Sequence, residues 1–112
     1  MSCLFCKIAK KEIPSTIRFE DEDFLAFDDI SPKAKTHILL IPKRHIPSVA
    51  ALKDSDAGLV AKMILIARDI AKKEGIDKTG YRLVFNSGTD AGAEVDHIHL
   101  HILGGNKLSS LA

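Results

Sequence analysis

Three histidines, His97, His99 and His101, occupy alternate positions of "HIHLHIL" in a chain that holds five in all. Imidazole, with an ordinary pKa of about 6.5, can serve at neutral pH as nucleophile, acid, base or metal ligand. In a strand, alternate side chains share a face. His97, His99 and His101 then point one way, and Ile98, Leu100 and Ile102 the other. Burying each aliphatic contributes roughly 1.5–3 kcal/mol, which makes that face core. Thr, Lys or Glu would serve a solvated face equally well, so three imidazoles in register point to chemistry. One metal ion fits all three poorly. Same-face neighbours lie about 6.6 Å apart, so His97 and His101 are about 13 Å apart along the strand, against a Zn–N bond of about 2.0–2.1 Å. Two neighbours could ligate. Nucleophilic attack on phosphorus fits better, giving a phospho-histidine that water cleaves.

The loop before the histidines, "NSGTDAGAEVD", is rich in Gly, Ser and Asp and can offer backbone N–H groups to a phosphate. It lacks the spacing and the lysine of a Walker A loop. A second chemical motif, "CLFC", places Cys3 and Cys6 at the C-x₂-C spacing of a zinc knuckle or of a redox pair. A thioredoxin-type pair opens a helix after a strand, and no strand precedes this one. Two cysteines need two further ligands to close a tetrahedral site.

The elements that must position these groups follow from hydrophobic period and punctuation. Ser2 can cap a short helix from Cys3 to Lys10 that aligns Leu4, Ile8 and Phe5, with Pro14 beyond it. "STIRF" and "FLAFDD" read as strands across the acidic turn "EDED". "HILLI", a continuous apolar run, reads as a buried strand stopped by Pro42. Asp54 or Ser55 can cap a long helix that runs to Glu74, with Gly75 as its stop and Lys72 and Lys73 in its last turn. That helix is apolar over more than one face, which suggests a homodimer contact. "YRLVF" is a strand and "HIHLHIL" the last one, closed by Gly104 and Gly105. The sum is one α+β domain over residues 1–112: a five-stranded antiparallel sheet, one long helix and a short N-terminal helix.

Composition narrows the function. The net charge of +1 excludes a broad basic surface for nucleic acid. The longest apolar run, "MILIA", is far short of the about 20 residues of a membrane span. With no signal-peptide pattern at the start, a cytoplasmic protein is expected.

"HIHLHILGG", "FCKIAKKEIPS", "FEDEDFLAFDDISPKAKTHILLIPKRHI" and "NSGTDAG" together resemble the histidine-triad (HIT) superfamily, in particular its Hint branch of nucleoside phosphoramidases. The likeness spans almost the whole chain. It implies a HIT-like fold, a homodimer whose sheets join, and a cleft for a purine nucleotide of AMP or GMP type. It also implies cleavage of P–N bonds in nucleoside 5′-monophosphoramidates such as AMP-lysine or AMP-NH₂. By the resemblance His99 is the nucleophile that forms a nucleotidyl-histidine, His101 holds the phosphate and His37 supports the triad. Asp29 would hold the ribose hydroxyls. Strand alternation sends Asp28 and Asp29 to opposite faces, and the family spacing selects Asp29. Asn86, Glu94 and Val95 match phosphate-side positions; Leu4, Phe5, Ile8, Phe27, Ile30 and Leu39 match the apolar slot for the base. The resemblance completes a structural zinc site from Cys3 and Cys6 with His45 and His97. Two other functions stay open: a dinucleoside polyphosphate hydrolase, and a zinc-stabilised nucleotide-binding module with little turnover. Ala93 and Asp96 depart from the family pattern and Glu94 from that of its animal members, as does the tail "GGNKLSSLA", which lacks the usual tryptophan.

Overall fold

A computed structural model describes residues 3–110. Five strands, β1 (Ile17–Glu20), β2 (Phe24–Asp28), β3 (Thr36–Pro42), β4 (Tyr81–Phe85) and β5 (Leu100–Gly104), form one sheet in the order β1-β2-β3-β5-β4. Every neighbouring pair is antiparallel. Among the described residues are also two α-helices, α1 (Leu4–Ala9) and α2 (Ala57–Lys73).

The sheet is covered on both faces. On one, Phe24, Ala26, Ile38, Leu40, Leu100 and Ile102 pack against Met63, Ile66, Ala67, Ile70 and Ala71 of α2. On the other, Leu25, Phe27, Leu39 and Ile41 pack against Phe5 and Ile8 of α1. Central β3 faces both layers, which is why its sequence runs apolar without alternation. The histidine face therefore lies under α1.

Several elements differ from the sequence expectation. Helix α1 is capped by Cys3, whose thiol accepts the Cys6 N–H at 3.4 Å; Ser2 lies outside the described residues. Within α1, Phe5 and Ile8 are buried and Leu4 is exposed. Asp54–Asp56 forms a separate 3-10 turn, and α2 begins after it. The Asp56 carboxylate accepts the Lys53 N–H and pairs with Arg44, which holds the turn at the helix start. The last strand begins at Leu100 rather than His97. The β3–β5 register would set residue 98 against Pro42, which has no N–H to give. The Ile98 N–H instead donates to the Ile46 carbonyl at 2.7 Å. On α2, Ile64 and Leu65 stay exposed, and β4 is an edge strand of the sheet.

Gly104 ends β5 where α2's following loop crosses the sheet. A Cβ there would lie 2.9 Å from Ile76 Cδ1, 3.2 Å from Ile76 Cβ and 3.3 Å from Tyr81 Cβ. Overpacking of this kind costs about 1–3 kcal/mol. Gly104→Val should therefore lower stability by roughly that amount in denaturant unfolding; an unchanged midpoint would contradict this packing.

Candidate functional site

Strand parity decides which groups share the site. Asp28 turns to the α2 side, where Arg18 holds it at 2.8 Å through both carboxylate oxygens. Asp29 turns to the opposite side. Its Oδ1 accepts the Ser31 N–H at 2.8 Å and its Oδ2 lies 3.4 Å from His37 Nε2. On the same face of the sheet, Leu39 sits directly across from His101 and His37 lies one diagonal step away.

The hydrogen bonds among the rings run in one direction. The Lys33 backbone N–H donates to His37 Nδ1 at 3.0 Å. That nitrogen is therefore the acceptor of a neutral ring, and the proton of His37 sits on Nε2. His37 Nε2 lies 2.9 Å from His101 Nδ1 and donates to it. The proton of His101 is then on its own Nε2, which is buried without a hydrogen-bond partner among the described residues. A buried unpaired N–H is costly and marks a place where a ligand acceptor belongs. His99 is oriented the other way. Its Nδ1 is 2.7 Å from the His97 carbonyl and must donate to it, which leaves Nε2 with a free lone pair.

Burial pushes the His37 pKa below the ordinary range, with Asp29 pulling weakly upward. Burial, then the neighbouring His99 and His37, brings His101 down to about 4. Both rings are thus neutral at pH 7, which the direction of the relay requires. Asp29, His37 and His101 offer three ligand atoms close together. Their spacing is accounted for by protons, with one N–H shared along the chain.

His97 belongs to a different cluster. It is fully buried, and its Nε2–H donates to the Pro42 carbonyl at 2.8 Å. The lone pair on Nδ1 then faces Cys3 Sγ at 3.5 Å, Cys6 Sγ at 3.5 Å and His45 Nδ1 at 3.2 Å. Cys6 Sγ and His45 Nδ1 are 3.3 Å apart. Four donor atoms converge, as a tetrahedral N₂S₂ ion would need: its edges would be about 3.3–3.8 Å. Burial, and the Cys3 thiol beside it, raise the Cys6 pKa, so an uncompensated thiolate pair is disfavoured there. Cys3, Cys6, His45 and His97 can hold a metal ion.

Not every expected residue joins the site. Phe5, Ile8, Phe27 and Leu39 are buried together, and Val95 packs on them. The Phe5 ring stands edge-on to His99, with centroids 5.0 Å apart. Ile30, by contrast, is 96% exposed and Leu4 is 45% exposed, so neither packs in that cluster. Glu94 is exposed and Asn86 half-buried just past β4. The β4–β5 register, extended one step, sets Asn86 opposite His99. The Lys33 N–H and the Pro42 and His97 carbonyls, which orient the rings, are backbone groups; no residue type in the sequence announces them.

Over residues 2–111 the chain matches the family model described as scavenger mRNA decapping enzyme C-term binding. It is 45% identical, over 108 residues, to the purine nucleoside phosphoramidase of Escherichia coli strain K12, covering 96% of this chain and 91% of that one. Among solved structures, a histidine triad protein from Clostridium difficile superposes at a TM-score of 0.96 with 46% identity, covering 100% of this chain and 97% of that one. A HIT family hydrolase from Legionella pneumophila Philadelphia 1 superposes at 0.94 with 51% identity, covering 96% of each chain.

The buried histidines make stability depend on pH. Unfolded, each takes its proton near the ordinary pKa of about 6.5; folded, His101 resists until about 4. Between those values the unfolded chain binds more protons, so stability falls with acidification across that window and is complete above it. The melting temperature should drop from about pH 7 to about pH 4.5, and His101→Gln should flatten the slope; a wild-type curve flat over this range would contradict the neutral relay.

Proposed function

The chain belongs to the histidine-triad (HIT) family, and from that premise we propose that it is a hydrolase of purine nucleoside 5′-monophosphoramidates. The observation that carries the reading is the opposed orientation of two neighbouring rings. His99 presents a lone pair on Nε2, and His101 presents an N–H on Nε2. A nucleophile beside a hydrogen-bond donor is what phosphoryl transfer needs.

In this reading the substrate phosphorus sits against His99 Nε2 and one of its oxygens accepts the His101 Nε2–H. The Nε2–P bond forms as the P–N bond breaks. The electron pair leaves on the amine nitrogen, which takes a proton from water. The His99 ring becomes cationic, and its Nδ1–H bond to the His97 carbonyl steadies the charge. The hydroxide left by that proton transfer then attacks phosphorus, the P–Nε2 bond breaks with its electrons returning to the ring, and the nucleoside monophosphate departs. The relay through His37 to the Lys33 N–H keeps the His101 proton aimed at phosphate throughout. Asp29 holds the ribose diol on its outer oxygens, and Asn86 reaches the phosphate. Phe5, Ile8, Phe27 and Leu39 form the floor of the base slot. Leu4 and Ile30, which leave their apolar surfaces to solvent, are the walls a purine would cover.

The four-donor cluster takes zinc in this reading, because two sulfurs and two imidazoles at tetrahedral spacing suit that ion. With four protein ligands it supplies a structural staple and no open position for chemistry. In this reading the chain forms a homodimer, for which it offers the free edge of β4 and the exposed Ile64 and Leu65 of α2.

Adenosine 5′-monophosphoramidate should be turned over by the wild type, with a transient nucleotidyl adduct on the His99 peptide in quenched-flow mass spectrometry. His99→Ala should lose the adduct and at least about 10³-fold in kcat, the scale seen when a nucleophile is removed. Equal release by the two proteins would reject the reading. Elemental analysis should find about one zinc per chain, lost in a Cys3→Ser/Cys6→Ser double variant. Metal-free native protein would refute the zinc.

A further inference from the structure

We propose that the Cys3/Cys6/His45/His97 cluster, beyond stapling the N-terminal helix, fixes the tautomer and position of His99, so that metal occupancy sets the catalytic rate. The proposal rests on the reading of His99 as the nucleophile.

Two independent contacts link the cluster to that ring. The first runs through the backbone. Residues 97–99 lie before β5, outside the strand ladder, and the Ile98 N–H bonds to the Ile46 carbonyl instead. The carbonyl of His97, which takes the His99 Nδ1–H at 2.7 Å, is thus not held by a ladder. Its peptide plane is held by the Ile98 N–H bond to Ile46, the residue after His45, and by the His97 side chain, anchored at one nitrogen by the Pro42 carbonyl and facing the cluster with the other. Without a metal, His97 Nδ1 and His45 would lose their common tie, and the Pro42 and Ile46 carbonyls would be the remaining holds on this segment.

The second contact runs through Phe5. Phe5 sits in sequence between the two cysteines, and its ring meets His99 edge-on at 5.0 Å and 83° and His97 at 6.1 Å. Helix α1 has only six residues, too few to persist through its own hydrogen bonds. Cys3 at its N-cap and Cys6 in its first turn, tied through one ion to His45 and His97, would clamp Phe5 against the nucleophile. His45 is the exposed ligand and touches the His97 ring, with centroids 5.0 Å apart.

Phe5 is therefore a positioning residue for His99, and His97 a second one. When the metal leaves, His99 gains freedom to move its proton to Nε2, and a ring protonated there cannot attack. Binding of the nucleotide also uses Asp29 and the floor residues Ile8, Phe27 and Leu39, which the cluster does not hold, and is touched far less. The effect falls on kcat rather than KM.

The test uses histidine labelled with nitrogen-15 in three samples: metal-loaded wild type, wild type after chelation, and metal-loaded Phe5→Leu. Long-range proton–nitrogen spectra read the His99 tautomer, and adenosine phosphoramidate hydrolysis reads kcat and KM. Loaded wild type should show His99 as a single Nδ1–H tautomer. The chelated protein should show a mixture, with kcat about ten- to a hundredfold lower, the range for loss of outer partners around a reactive group, and KM nearly unchanged. Phe5→Leu should keep its zinc and still show mixed tautomers and a lowered kcat. A folded chelated protein with one tautomer and an unchanged kcat would overturn the proposal. If chelation unfolds the protein, Phe5→Leu decides: an unchanged spectrum and kcat would overturn it. Absence of turnover in loaded wild type would defeat the phosphoramidase reading, while the spectra would still decide the coupling.

Discussion

A neutral imidazole carries one N–H and one lone pair, so whatever one ring nitrogen is tied to decides what the other can do. Four histidines here are tied at one nitrogen to a backbone group or to another histidine. The Lys33 N–H makes His37 Nδ1 an acceptor, and His37 in turn makes His101 Nδ1 one. The Pro42 and His97 carbonyls make His97 Nε2 and His99 Nδ1 donors. Three nitrogens are left facing outward from this scaffold: a lone pair toward the cysteines, a lone pair in the site, and an N–H beside it. Protonation of a ring would erase the distinction, and burial keeps His37 and His101 neutral.

That constraint explains why the histidine face is sealed. A half-solvated strand would let water exchange protons with every ring. The α1 layer, with Phe5 and Ile8 over Leu25, Phe27, Leu39 and Ile41, removes water from one side of the rings. The α2 layer packs the sheet from behind against Ile38, Leu40, Leu100 and Ile102. A second cover is needed because six residues of helix cannot stay down unaided, and the cluster of Cys3, Cys6, His45 and His97 stands where a staple would serve.

Much of this was legible in the residues. Alternation in "HIHLHIL" separated histidines from aliphatics, and alternation in "FLAFDD" separated Asp28 from Asp29; parity survives local irregularity, because packing on each face enforces it. The continuous run of β3 marked a strand covered on both sides. Strand length at the histidines was not legible: the ladder stops before Ile98, whose register partner Pro42 has no N–H to give. Ile30 and Leu4 are apolar but exposed, and residue type does not say which apolar side chains the core takes and which it leaves in solvent. The ring orientations were least legible, since the groups that set them are main-chain atoms of Lys33, Pro42 and His97. Those come into reach only once the sheet exists.

The division of labour among the three histidines is tested most directly by a high-resolution crystal structure with metal and a non-hydrolysable adenosine monophosphate analogue bound. The account predicts His97 Nδ1 on the metal, His99 Nε2 facing phosphorus and His101 Nε2 within hydrogen-bonding distance of a phosphate oxygen. A nucleotide phosphate that lies away from His99 Nε2, or a metal shared by His97 and His99, would contradict it.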